Sequence, residues 1–174
     1  MFSNVALAAS VSVTSVKQDK DNWCWAACAE MAGKSVYSGT SYRTQYSVVN
    51  KIKGTAADPY PDVSGSISDS ATGAKYVTYD TVDFESKSSK WSFSEIETSL
   101  TNGHAVQAGA GYYNWIFRDG GHVVVIYATT TDAAGTEYIS YIDPWDGKSY
   151  TCTYKAFCDG SFNNRKYDQT IYVK

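Results

Sequence analysis

The feature that most narrows the fold is the order in which two kinds of pattern occur along the chain. Before Gly103 the apolar residues recur at helical spacing, and beyond it the sequence turns to β-branched and Tyr-rich runs. These runs cover residues 104–113, 122–130, 136–143, 148–154 and 167–173, separated by breaks such as Asp119-Gly120-Gly121 and Asp146-Gly147. Helices first and strands afterwards, with no βαβ alternation, argue against a parallel sheet. The order predicts an α+β domain with N-terminal helices packed on a C-terminal, mostly antiparallel β-sheet. At 174 residues the chain suits one domain with a substantial core, and no repeat divides it.

Within the first part, Asn22 is the expected N-cap of a helix over residues 23–32 (WCWAACAEMA), with Gly33 at its C-terminal end. A second helix is expected over residues 41–53, ending at Gly54, and a short third over 68–75. Asp58-Pro59-Tyr60-Pro61 reads as a connector. Ser92 and Glu95 have capping-box spacing and open a helix to about Asn102. Residues 1–15 read as a processing remnant or disordered N-terminus, and 16–174 as one domain. Ala8-Ala9-Ser10 has the small residues of a signal cleavage site, without the basic and apolar regions of a full signal.

Composition excludes some partners. A net charge of −3 without a Lys/Arg patch argues against nucleic acid. No stretch approaches the roughly 20 apolar residues of a membrane span. The 15 tyrosines, with frequent Ser, Thr, Gly and Asn, lean towards a secreted bacterial protein, expected to be a monomer.

The four cysteines are Cys24, Cys28, Cys152 and Cys158, too few for a disulfide-built scaffold. Without a CxxC pair, zinc ligation is disfavoured, and neither metal nor cofactor is expected. Cys152 and Cys158 could close a small loop under oxidising conditions. Cys24 sits at the start of the first helix, where unpaired backbone N–H groups and the helix dipole favour a thiolate. Alone it reads equally as a buried structural cysteine.

Three further residues change that reading. Gln18, in the loop before the helix, carries an amide that could donate to an oxyanion beside the sulfur, alongside the Cys24 backbone N–H. Of the two histidines, His122 follows Gly120-Gly121 and opens an apolar strand; His104 is its rival as a base. Asp143 ends the next strand. If those two strands pair antiparallel across the 131–135 turn, the carboxylate can accept from the second ring nitrogen of His122. Trp25, Gly121 and Trp145 are the candidates for contacting substrate, with Trp145 placed to cover the His–Asp contact. Cys28, one turn behind Cys24, fits core packing better than a resolving thiol.

Gln18, then Cys24-Trp25-Ala26-Ala27, then Gly121-His122-Val123-Val124-Val125, then Asp143-Pro144-Trp145 resembles the signature of papain-like cysteine peptidases of clan CA. The compact bacterial branch of C39-like peptidases and effector proteases, with Asp as the third triad member, is most similar. Residues 93–107 (FSEIETSLTNGHAVQ) also resemble the helix-then-strand unit of that branch. The resemblance implies a peptide or protein substrate, Cys24 as nucleophile, His122 as general base and acid, Asp143 as orienter and Gln18 as oxyanion-hole donor. It implies a groove between the Cys24 helix and the sheet, with residues 58–70 and 112–119 as specificity loops. Only a short stretch precedes Gln18, so a long inhibitory pro-segment is not expected, nor is a transporter-linked leader peptidase. Two other readings stay open: a transglutaminase-like acyl transferase or cyclase, and a non-catalytic surface-binding module using its Tyr-rich strands.

Overall fold

A computed structural model describes residues 6–54, 60–114, 117–161 and 164–174. The helical half gives α1 (Cys24–Val36), α2 (Gln45–Lys53) and α3 (Ile67–Val77). After a short strand β2 (Phe84–Lys87) and α4 (Phe93–Thr101) come β3 (Val106–Asn114), β4 (Phe117–Thr131), β5 (Glu137–Asp143) and β6 (Lys148–Thr153). Helix α5 (Tyr154–Asp159) and β7 (Lys166–Val173) complete the chain, and β1 (Ala6–Ser10) precedes α1. Among the described residues the sheet has seven strands in the order β2-β7-β3-β4-β5-β6, with β1 beside β4, and its pairings are antiparallel. The architecture is therefore the expected α+β arrangement.

Alternation along β4 shows why both faces of the sheet are covered. Val123 and Val125 join the cluster built with α1, α2 and α3, while Val124 and Ile126 join a second cluster with α4 and α5. Helix α1 is buried from Trp25 to Gly33, so its sequence is apolar on nearly every side. No helix among the described residues is long and apolar enough to cross a membrane.

Several local expectations meet a different outcome. Asn22 does not cap α1; Trp23 holds that position without a side-chain bond, and Asn22 turns to Asp62 instead. Gly33 lies inside α1, where a Cβ would meet Val77 Cβ at 2.6 Å, so its role is close approach to α3 and not termination. Helix α2 starts at Gln45, four residues later than expected, where the Gln45 N–H donates to Glu30. Gly54 ends it with a positive φ of 70°. The Ser92–Glu95 capping box forms as its spacing predicts.

Asp119-Gly120-Gly121 is not a turn but part of β4, beside an irregularity in its pairing with β3. Ala6–Ser10, within the stretch expected to be a remnant or disordered, pairs with residues 128–131 of β4 along the edge that β3 leaves open. The four cysteines are free thiols. Asp58 and Pro59 of the expected connector, and the side chains of residues 113–119, lie outside the described residues.

Candidate active site

The start of α1 is held by the segment that crosses it. Trp23 Nε1 donates to the Pro61 carbonyl and Trp25 Nε1 to that of Val63, each at 3.1 Å. Asp62 accepts from both the backbone N–H and the side-chain amide of Asn22. Gly65 then lies flat on the Trp25 indole, so closely that a Cβ there would come within 2.3 Å of the ring. Trp25 is thus buried beneath the groove wall and supports it, leaving Ser64 and Gly65 to face the half-buried Cys24 across a cavity of about 170 Å³.

The other side of this cavity comes from the sheet. Strands β4 and β5 pair antiparallel across the turn closed by Asp132 and Gly135, as the 131–135 spacing suggests. Their register joins Val125 to Ile142, which sets the end of β5 alongside the start of the apolar run of β4. His122 Nε2 and Asp143 Oδ1 are 2.5 Å apart, and both side chains are largely buried. Cys24 is the other polar neighbour of the His122 ring and, like Asp143, favours its charged form. Of the two histidines it is His122 that meets the cysteine. His104, the rival, lines a depression beside α4 with Trp91 and Glu95.

The electrostatics follow from this packing. Burial works against an imidazolium at His122, but the hydrogen bonds to Asp143 and Cys24 and their charges outweigh it, so its pKa is raised above the ordinary 6.5. Burial likewise opposes the Asp143 carboxylate, and the bonds from His122 and the Trp145 N–H, with Arg165 nearby, hold its pKa below the ordinary 3.8. Cys28 sits one turn behind. Its burial, with the charges of Cys24 and Asp143, pushes its thiol well above the usual range, and its Sγ donates to the Val123 carbonyl at 3.1 Å. It is a neutral packing group between α1 and β4.

Gln18 is buried beside this site, in the depression it shares with Trp145. Its backbone N–H donates to the Pro144 carbonyl, which ties the loop before α1 to the residue after Asp143. Its Nε2 donates to the carbonyls of Lys20 and Asp21, both at 2.8 Å, so to reach an oxyanion it must share or exchange one of these bonds. Trp145 is 54% exposed; it borders the cavity and donates its N–H to Asp143 Oδ1, so it rims the His–Asp contact rather than sealing it. Gly121 borders the same cavity. Beyond His122 a second recess of about 340 Å³ runs between Ile67, Gly109 and Gln169.

Asp62, Gly65 and Tyr112 fall within the two segments expected as specificity loops, 58–70 and 112–119, although nothing in the sequence singled out Asp62 or Gly65 within them. Arg165 carried no readable signal, since it falls in a turn-like stretch far from every motif. Among the described residues no group of three His, Cys, Asp or Glu side chains is arranged to hold a metal ion.

Known proteins resemble this chain in family and in fold. The family model described as "Peptidase_C39 like family" matches residues 10–172. None of the curated proteins matches the chain. Among solved structures, the proform of the Amb a 11 cysteine protease, a major ragweed pollen allergen, is similar with a TM-score of 0.59 at 12% identity, over 97% of this chain. The chain spans 65% of that protein's length. The bromelain protease from Ananas comosus, in complex with the E64 inhibitor, gives a TM-score of 0.52 at 14% identity, over 93% of this chain and 94% of its own. At such identities the likeness is one of fold, and that fold is papain-like. The family match covers nearly the whole described chain, and the chain belongs to the peptidase C39-like family.

Proposed function

We propose that this protein is a cysteine endopeptidase that cleaves peptide bonds through a thioester on Cys24. The observation that carries the reading is the line Cys24–His122–Asp143, in which one imidazole bonds a buried carboxylate and has the cysteine as its other polar neighbour. In this mechanism Cys24 Sγ adds to the peptide carbonyl carbon while its proton resides on His122 Nδ1. The Cys24 backbone N–H and Gln18 Nε2 donate to the developing oxyanion, Gln18 by exchanging one of its loop bonds. His122 then gives its proton to the leaving amine, and the thioester remains. Water, deprotonated by His122, attacks it and releases the acid and the free thiol. Asp143 keeps the ring oriented and stabilises its cationic form throughout. Trp145 and Gly121 border the region the chain of the substrate would cross, and the recess near Gln169 would receive a neighbouring side chain.

Two measurements together decide this. E-64 or iodoacetamide at near-neutral pH is expected to label Cys24 in the folded protein, and Cys24→Ala is expected to fold normally but lose hydrolysis of a peptide library. Labelling confined to Cys152 or Cys158, or activity that survives Cys24→Ala, would overturn the reading.

A further inference from the structure

The Asp143 carboxylate has a second cationic neighbour. Oδ1 accepts from His122 Nε2 and from the Trp145 N–H, while Oδ2 faces Arg165 Nη1 at 3.4 Å. Arg165 is itself mostly buried, with 18% of its side chain exposed. Its Nε donates to the Tyr112 hydroxyl and its guanidinium carbon lies 4.9 Å from the centre of the Tyr112 ring. The sheet explains the meeting: β3 and β7 pair Gly111 with Lys166, so the next residue on one strand and the previous residue on the other lie side by side. Arg165 and Tyr112 both border the cavity that holds Cys24 and His122.

Resting on the cysteine-peptidase reading above, we infer that Arg165 is a positioning residue of this site: it holds the Asp143 carboxylate from the side opposite His122, so that Oδ1 stays on Nε2 and the ring stays aimed at Cys24. A carboxylate held only through Oδ1, here by His122 and the Trp145 N–H, leaves its other oxygen free to swing; a planar guanidinium on Oδ2 resists that motion. The distance of 3.4 Å is longer than the roughly 2.7–2.9 Å of a tight charge-assisted bond, so the arginine steers the carboxylate without competing for Oδ1. Tyr112 in turn fixes the guanidinium by bond and by ring face. Other titratable groups about Asp143 include Cys28 of α1, Tyr141 on its own strand, Asp146 after it, Tyr150 of β6, and Lys148, which stands opposite it in the β5–β6 register. Arg165 supplies this neighbourhood with a charge that does not titrate.

The test uses the full chain with imidazole-labelled histidine. Only two histidines exist, so His104 serves as an internal reference for His122. Arg165→Gln is expected to broaden or shift the low-field Nε2–H resonance of His122 while that of His104 stays. It is also expected to lower kcat about tenfold with KM within about twofold, because a small misplacement of a reacting group weighs on the chemical step. The acid limb of kcat/KM should move to higher pH, since Asp143 has lost a cation, and Arg165→Lys should recover part of each effect. A wild-type His122 resonance together with wild-type kcat and acid limb in Arg165→Gln overturns the inference. If Arg165→Gln fails to fold, Tyr112→Phe and Arg165→Lys decide in its place, and a wild-type resonance and rate in both overturns it. Should the unmodified protein show neither Cys24 labelling nor hydrolysis, the peptidase reading fails on its own, and the His122 resonance still reports whether Arg165 positions the pair.

Discussion

At His122 two opposing effects meet, and their balance sets a pH window. Burial disfavours the charged ring, whereas Asp143 and Cys24 favour it and prevail, so the folded-state pKa lies above the ordinary 6.5. A group whose pKa is raised by folding binds more protons in the native state, so its stabilising contribution is full below about 6.5 and is lost as pH rises through the folded value. Asp143 has the opposite sign: its contribution is present above about 3.8 and is lost as pH falls through its lowered value. Asp143→Asn removes the charge but keeps the shape, leaving Cys24 alone to oppose burial at His122. We therefore expect the alkaline limb of kcat/KM to move to lower pH in this variant, with kcat reduced on the order of a hundredfold. Thermal melts across neutral pH supply the second check: melting temperature falls with rising pH in the native protein and falls less steeply in Asp143→Asn. An unmoved alkaline limb would mean that Asp143 does not govern the ring.

Elements show how far local pattern reaches and where tertiary contact takes over. The Ser92–Glu95 box is complete within four residues, so the sequence contains everything that decides it, and the cap forms. Gly33 is the counterexample. A glycine after a run of helix formers has the spacing of a terminator, but here it marks where α3 touches α1, and only the packing of residues more than forty positions apart reveals that. The two roles predict opposite signs for one substitution. Were Gly33 merely a helical glycine in open space, Gly33→Ala would gain up to about 1 kcal/mol from propensity. With Val77 Cβ and Cγ1 both 2.6 Å from the added methyl and the Ala74 carbonyl oxygen at 3.0 Å, overpacking of about 1–3 kcal/mol opposes it. We expect a net loss of about 1–2 kcal/mol, read as a lower urea midpoint at unchanged slope. A stabilised variant would show that the two helices can part at no cost.

For the whole molecule, the site exists only where layers join: Cys24 comes from α1, His122 from β4 and Asp143 from β5. Their order along the chain was readable because Cys24 and Asp143 sit at element ends that helix-forming residues and a proline announce, and because a glycine pair precedes His122, although β4 runs through that pair. The joint itself was not, since it depends on cross-links between segments with no shared pattern. The N-terminal strand is another contact without a readable pattern, though it lies away from the site. Its small residues suggest a trimmed signal; Ala9 packs into the α4 cluster and the strand completes the edge of β4. It lies almost wholly before the segment that matches the family, which starts at residue 10. Beyond it, Ser15 donates to the Gly147 carbonyl and Gln18 to that of Pro144, so a separate set of bonds ties the loop to the site. The two sets can be tested apart. A chain beginning at Val11 loses the four β1–β4 pairs, from Ala6↔Thr131 to Ser10↔Ala128, and the buried Ala9. At about 1 kcal/mol net for each ladder bond, this should cost about 2–4 kcal/mol and expose residues 128–131 as an unpaired edge prone to association. Cys24 in the folded fraction should still react with E-64 at its native rate, because the Ser15 and Gln18 ties remain. Urea unfolding and labelling of the truncated chain measure both: unchanged stability would make β1 a dispensable appendage, and a slowed reaction would show that β1 itself helps to hold the site.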